Sequence, residues 1–200
     1  MGLVWKKCAA QLLFYLQKSK IGNAQNRQFK SPAMTSFKTT AYIETTENQL
    51  QVVIDAILGR DLSAWVCDYP FGESGPDLIA LEGNLGAGKT TLSKLLCAAW
   101  GCQNEVSSPT FALVNEYELL DFKGKLYHHD WYRVKEAGEL YDAGIEEMLH
   151  EYPSKHLIEW PEIGDFLLRD LAQNYKAKVL WVNIEHKENS REYRLRILAE

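Results

Sequence analysis

The sequence predicts an α/β fold, with a central mixed sheet flanked by helices, and three observations carry that expectation. Leu78-Ile79-Ala80-Leu81 is a short apolar run of the kind a strand buried on both faces requires. Leu50, Val53, Ile54, Ile57 and Leu58 recur at helical spacing. Runs of the two kinds mix along the chain, and a glycine-rich turn joins the strand pattern at 78–81 to the helical pattern after it.

Taken in order, a polar Thr-Thr-Glu-Asn start introduces a helix over about 47–58, and Gly59 is its stop. Pro70, Gly72, Gly75 and Pro76 mark 59–77 as a loop, with a short strand expected at Trp65–Cys67. The strand at 78–81 leads into a helix from Thr90 to Trp100, with Leu92, Leu95, Leu96 and Ala99 inward. Phe111–Glu118 and Lys125–Asp130 read as strands, and the loop at Asp121–Gly124 allows a hairpin. Glu136–His150 reads as helical with a break near Gly144. His156–Glu159, Val179–Glu185 and Tyr193–Leu198 complete the strands.

The bulk numbers fit one compact domain plus a tail: 200 residues, 46% hydrophobic and 24% charged. No stretch approaches the roughly 20 apolar residues of a membrane span, so no membrane partner is expected. The four cysteines, Cys8, Cys67, Cys97 and Cys102, form no CxxC pair and read as reduced thiols of a cytoplasmic protein. The overall charge of -5 is unevenly spread. Residues 1–43 carry Lys6, Lys7, Lys18, Lys20, Arg27, Lys30 and Lys38 and no acidic residue. Those seven taken from 22 basic residues leave 15 against 27 acidic ones, a net charge of -12 over 44–200. Such an acidic body is a poor direct binder of nucleic acid, so any RNA connection is expected to run through a partner protein.

Residues 1–42 are expected to form a basic, disordered or loosely helical N-terminal extension, and 43–200 the folded domain. For the first 33 residues three readings stay open: an in-frame extension upstream of Met34, an organelle-targeting peptide, or a helix lying on a membrane surface.

The chemistry concentrates in Gly83-Asn84-Leu85-Gly86-Ala87-Gly88-Lys89-Thr90, which satisfies GxxxxGK[ST] between a strand pattern and a helical one. Gly83, Gly86 and Gly88 let the backbone turn tightly and approach phosphates without a Cβ in the way. The exposed amides and the following helix N-terminus favour an anion. Lys89 supplies positive charge to β- and γ-phosphates, and the Thr90 hydroxyl suits Mg2+. The alternative, a purely structural glycine turn, leaves the lysine unexplained.

Mg2+ also calls for oxygen ligands such as a carboxylate, commonly at the end of a neighbouring strand. Asp130 and Glu159 both fit, one to hold the metal and the other to orient water or act as general base. A strand-end carboxylate serves equally well as a cap or a solvated group, and spacing leaves both roles open. Ser107-Ser108-Pro109-Thr110 reads as a turn into the next strand or as a switch segment sensing a triphosphate. His128 and His129 fit no metal-ligand pattern and, as strand neighbours, face opposite ways, so they read as core or surface residues. Trp160 is a core aromatic or a lid over a nucleotide.

Together these segments resemble the TsaE family of small ATPases in bacterial tRNA threonylcarbamoyladenosine (t6A) biosynthesis. The resemblance runs over about 43–198. It rests on the phosphate loop through Thr91-Leu92, then Ser108-Pro109-Thr110-Phe111 with Leu113-Val114-Asn115-Glu116-Tyr117. His128-His129-Asp130-Trp131-Tyr132-Arg133, Glu139-Leu140 with Gly144-Ile145, and Ile158-Glu159-Trp160-Pro161-Glu162 follow in the family's order. It implies a sheet-centred P-loop fold, ATP and Mg2+ as cofactors, and weak ATP hydrolysis coupled to TsaB and TsaD, with tRNA met only through the complex. By position it implies Thr90 and Glu159 as Mg2+ ligands, Asp130 and Lys89 as catalytic, and Ser108 to Thr110 as the switch-like loop. It places Trp160, Thr46 and Arg191 by the nucleotide, with Gly83, Asn84, Leu85, Gly86, Ala87, Gly88 and Thr91 in the loop around the phosphates. Asn84 stands where the family commonly has aspartate, His129 where an aromatic is usual, and 59–77 is additional.

Two other functions stay in view. A small-molecule or nucleotide kinase would need an acceptor pocket with an arginine-rich lid, and no arginine cluster follows the helix at 90–100. A non-catalytic adaptor would bind ATP only to fix a docking surface.

Overall fold

The computed structural model describes residues 37–102, 106–109, 112–120, 124–151 and 153–198. Seven strands form one sheet in the order β1-β7-β6-β2-β5-β4-β3. They are β1 (Phe37–Thr45), β2 (Leu78–Gly83), β3 (Val114–Glu118), β4 (Lys125–Asp130), β5 (Ser154–Glu159), β6 (Val179–His186) and β7 (Arg191–Leu198). The central strands β6, β2, β5 and β4 run parallel. The edges are antiparallel: β7 and β1 on one side, β3 on the other. This is the mixed, helix-flanked sheet the sequence predicts.

Alternation along the strands sends successive side chains to opposite faces and so builds two cores. On one face Ile79, Leu81, Leu157 and Val182 meet α1 (Gln51–Ile57) and α2 (Lys89–Ala99) through Val53, Ile54, Leu92 and Leu96. On the other, Leu78, Ala80 and Ile158 meet α3 (Ala137–Asp142), α4 (Ile145–Leu149) and α5 (Asp165–Tyr175) through Leu140, Ile145, Leu168 and Leu171.

Several elements differ from expectation. The helix expected over 47–58 divides into a 3-10 turn at Glu47–Gln49 and α1. The strand expected at Trp65–Cys67 is reduced to one bridge between Ala41 and Trp65. The 59–77 connection instead serves α1, whose last carbonyls have no partner within the helix. Trp65 Nε1 donates to the Ala56 carbonyl at 3.0 Å and Tyr69 Oη to that of Ile57 at 2.7 Å. Strand β1 begins at Phe37, ahead of the domain boundary expected at 43, because β7 supplies it with a full antiparallel partner. Helix α5 has no counterpart in the sequence reading, although Leu167, Leu168 and Leu171 carry helical spacing. The readings of residues 1–33 lie outside the described residues. Among the described residues no helix is long and apolar enough to cross a membrane.

Candidate functional site

The loop from Gly83 to Gly88 leaves the C-terminal end of β2 in the middle of the sheet and enters α2. A Cβ at Gly83 would stand 2.6 Å from the Ile184 carbonyl oxygen of neighbouring β6, so this position admits only glycine without a backbone shift. Gly88 precedes the helix at φ 100°, a left-handed conformation costly for any other residue. Ala87 N–H donates to the Asn84 carbonyl at 3.1 Å and closes the turn.

Lys89, the first residue of α2, is 5% exposed. Its Nζ donates to the carbonyls of Gly83 at 2.6 Å and Asn84 at 3.0 Å, and lies 3.5 Å from the ring centroid of Trp160. Desolvation lowers its pKa, opposed by the charges of Glu159, Glu162 and Asp130, in that order. Trp160 adopts a left-handed backbone (φ 59°, ψ 55°), a conformation that costs a non-glycine residue roughly 1–3 kcal/mol. Its N–H bonds the Leu81 carbonyl at 3.2 Å and its ring lies 4.9 Å from that of Tyr132, which together hold it against the lysine.

Asp130 and Glu159 are register partners at the C-terminal ends of β4 and β5, and Glu159 is in turn paired with Leu81 of β2. The parallel sheet thus delivers both carboxylates beside the glycine loop. Glu159 is 2% exposed. Its Oε2 accepts from Thr90 Oγ1 at 2.8 Å, and its Oε1 accepts from Ser93 Oγ at 2.8 Å and His128 Nε2 at 2.9 Å. A buried carboxylate loses its hydration, and such donors replace it. Asp130 accepts from Ser108 Oγ at 3.1 Å and from the Tyr132 N–H at 3.1 Å. The 106–109 segment is held from the other side, since Asn115 Nδ2 and Tyr117 Oη each donate to the Ser107 carbonyl at 3.2 Å.

A cavity of about 320 Å³ opens between these elements. Leu85, Gly86, Gly88, Lys89, Thr90 and Thr91 line it from the loop, and Asp130, Tyr132, Glu159 and Trp160 from the strand ends. Of the other residues singled out in the sequence, Gly83, Asn84 and Ala87 shape the turn without lining the cavity. Ser108 reaches Asp130. Arg191 lies behind the loop, where a Cβ on Gly88 would meet its Nε at 3.5 Å, and its Nη1 donates to Glu47 at 3.2 Å. Among the described residues that Nε, buried, has no hydrogen-bond partner. Thr46 is exposed and does not line the cavity, though its neighbour Glu47 ties that turn to Arg191. Thr110 lies outside the described residues.

Sequence reasoning missed two contacts. Ser93 is not among the residues the sequence singles out and His128 reads there as core or surface, yet both bond Glu159. Signals for each exist. Ser93 follows Thr90 by three positions on one helix, which sets both hydroxyls on one face. His128 and Asp130 alternate on one strand and share a face. The expectation that the two histidines point apart holds: His129 lies beneath the opposite face, its Nε2 3.2 Å from His156 Nδ1.

A glycine loop between a central parallel strand and a helix, with carboxylates at neighbouring strand ends, defines a P-loop-like α/β protein. The likeness to the crystal structure of YdiB from Bacillus subtilis supports that fold, with a TM-score of 0.52 at 22% identity over 82% of this chain and 88% of that one. The family model for threonylcarbamoyl adenosine biosynthesis protein TsaE matches residues 45–194, and this chain belongs to that family. Among relatives, the tRNA threonylcarbamoyladenosine biosynthesis protein TsaE of Haemophilus influenzae is 39% identical over 119 residues, 59% of this chain and 68% of that protein. The protein of the same name from Rickettsia prowazekii is 38% identical over 118 residues, 56% of this chain and 79% of its own.

Proposed function

We propose that this chain binds ATP with Mg2+ at the glycine loop and hydrolyses it slowly, in support of tRNA t6A modification together with TsaB and TsaD. The observation that carries the ATPase reading is the Thr90–Glu159 contact with Asp130 in register beside it, two carboxylates and a hydroxyl gathered at the mouth of a phosphate loop. The residues fit the ligands. Thr90 and Glu159 are hard oxygen donors of the type Mg2+ prefers. The cavity volume lies in the range of small-ligand sites. Gly88 leaves the helix N-terminus open to phosphate oxygens, and the Nε of Arg191, which has no hydrogen-bond partner among the described residues, stands next to it.

When bound, Mg2+ would neutralise charge on the phosphates. The chain's own residues do the rest. Lys89 exchanges the carbonyls of Gly83 and Asn84 for phosphate oxygens, and its burial strengthens that attraction. Asp130 stands outside the Thr90–Ser93–His128 net around Glu159, so it is the carboxylate placed to orient water and accept its proton. Ser108, bonded to Asp130, links that carboxylate to the segment leading towards Thr110. Trp160 and Tyr132 line the cavity and pack against each other, with ring centroids 4.9 Å apart.

The role in t6A modification and the partnership with TsaB and TsaD are supported by family membership and by the acidic body, which suits protein partners better than direct RNA contact. Among the described residues the thiols of Cys67 and Cys97 form no disulfide, which accords with a cytoplasmic site of action. The test is ATP hydrolysis by the full chain alone and with TsaB and TsaD added, beside Lys89→Ala and Asp130→Ala. Slow turnover that rises with the partners and is lost in both variants is expected. A rate indifferent to partners and variants would remove the ATPase reading.

A further inference from the structure

The carboxylate of Glu159 divides its work between its two oxygens. Oε2 meets Thr90, which lines the cavity, whereas among the described residues Oε1 meets side chains behind it, Ser93 from α2 and His128 from β4. Both of those residues are fully buried and have nothing to offer the cavity directly. We propose that His128 and Ser93 are positioning residues, which clamp Oε1 so that Oε2 stays presented beside the Thr90 hydroxyl for a divalent cation; this rests on the Mg2+ reading above.

Three physical points support the clamp. A glutamate side chain swings freely about its terminal torsion, so one oxygen must be anchored if the other is to keep a fixed place. The His128 contact has a defined sense. A carboxylate only accepts, so His128 must carry its proton on Nε2. Its Nδ1, buried, has no partner among the described residues, so the bond to Glu159 is the single polar contact that this imidazole makes there. An apolar side chain would suit such a site better if packing alone were at stake. Ser93 shows the same pattern, a polar residue inside a helix where alanine forms helix better. Its hydroxyl lies 3.0 Å from the Lys89 carbonyl as well as 2.8 Å from Glu159, so the clamp is built from the helix that begins with the lysine itself.

The full chain, titrated with a fluorescent ATP analogue in EDTA and then at increasing Mg2+, tests this, with urea unfolding of each variant alongside. Loss of a partner that orients a metal ligand typically weakens metal affinity about 10- to 100-fold. His128→Phe and Ser93→Ala are expected to raise the Mg2+ concentration for half-maximal effect by about that factor, while binding in EDTA stays as in the parent. His128→Gln, whose Nε2 reaches the place of the imidazole Nε2, is expected to restore most of the loss. Ser93→Ala is a small change in the buried interior and carries the test if His128→Phe does not fold. An unchanged Mg2+ requirement in Ser93→Ala and His128→Phe, with Glu159→Gln raising it, overturns the clamp and leaves the metal site standing. Equal losses with and without Mg2+ would assign both residues a merely structural role and also overturn it. If Glu159→Gln itself leaves the Mg2+ requirement unchanged, the metal reading fails first and the clamp falls with it.

Discussion

His128 and His129 are chain neighbours, both fully buried, and they sit in two opposed polar clusters on either side of the same sheet. His128 Nε2 donates a hydrogen bond to a carboxylate that reaches the cavity. His129 Nε2 lies 3.2 Å from His156 Nδ1, His156 Nε2 lies 2.8 Å from Ser154 Oγ, and Ser154 donates to the Glu151 carbonyl. With Ser154 donating to Glu151, the order of donors is forced: His156 donates to Ser154 and His129 to His156, so both are neutral with the proton on Nε2. The first cluster contains a carboxylate and opens on a site. The second has neutral rings and is sealed beneath the helices. The contrast teaches that a buried histidine is read from its acceptor rather than from its burial.

The largest expected effect belongs to the cavity side. Glu159→Gln is expected to lower ATP turnover roughly 100-fold or more, the scale of losing one charge-stabilising group in a preorganised site. Single-turnover hydrolysis measures it, and a rate near that of the parent would erase the distinction between the clusters.

Next in size is an acid response on the sealed side. Burial pushes the pKa of His129 well below the ordinary 6.5, with His156 and His128 adding to the effect. Burial likewise drives His156 to about 3, assisted by His150 and Lys155. Because the folded values are depressed, the unfolded chain binds more protons below pH 6.5, and stability falls as the pH drops through that value. Each histidine contributes up to about 1.4 kcal/mol per pH unit until its folded pKa is reached. Urea unfolding of the parent between pH 7 and pH 4 is expected to show this steepness. The double variant His129→Phe/His156→Leu is expected to show it reduced by the share of two histidines, and identical slopes would count against buried neutral rings.

The single change His156→Leu deprives the His129 N–H of its acceptor and is expected to cost about 1–3 kcal/mol at pH 7, with ATP binding unaffected. Smallest of all is the double variant at pH 7, within about 1 kcal/mol of the parent, since removing both partners leaves neither group unpaired. A double variant weaker than His156→Leu alone would show that packing, and not hydrogen bonding, holds this cluster together.

The His129–His156 pair also explains a departure visible in the sequence. The resemblance implies an aromatic where His129 stands, and the His129 ring packs edge-on to Trp131 at 5.8 Å between centroids while its Nε2 lies 3.2 Å from His156 Nδ1. Sequence patterning places β2 and β6 to within two residues, because Leu78–Leu81 and Val179–Val182 are the apolar runs of strands buried on both faces. It does not extend to Trp65–Cys67, where Trp65 makes one bridge to Ala41 and its indole, with the Tyr69 hydroxyl beyond it, satisfies the last carbonyls of α1. It also left β1 partly in the tail, because an edge strand shows its identity only once its partner is known, and that partner is at the other end of the chain.

What the sequence determined by itself is local. The eight residues from Gly83 to Thr90 specify the loop, because left-handed turns and close backbone approach demand glycine at those positions. The strand period alone sends His128 and His129 to opposite faces. What only the tertiary structure decided is which distant groups meet. Spacing left Asp130 and Glu159 open to the same roles, and the resemblance separated them only by analogy. The order of the sheet sets Glu159 on Thr90, 69 positions away in the chain, and leaves Asp130 to the Ser108 segment. Nearest neighbours encode backbone conformation, but a carboxylate's partner depends on strand order and register, which the whole core selects at once.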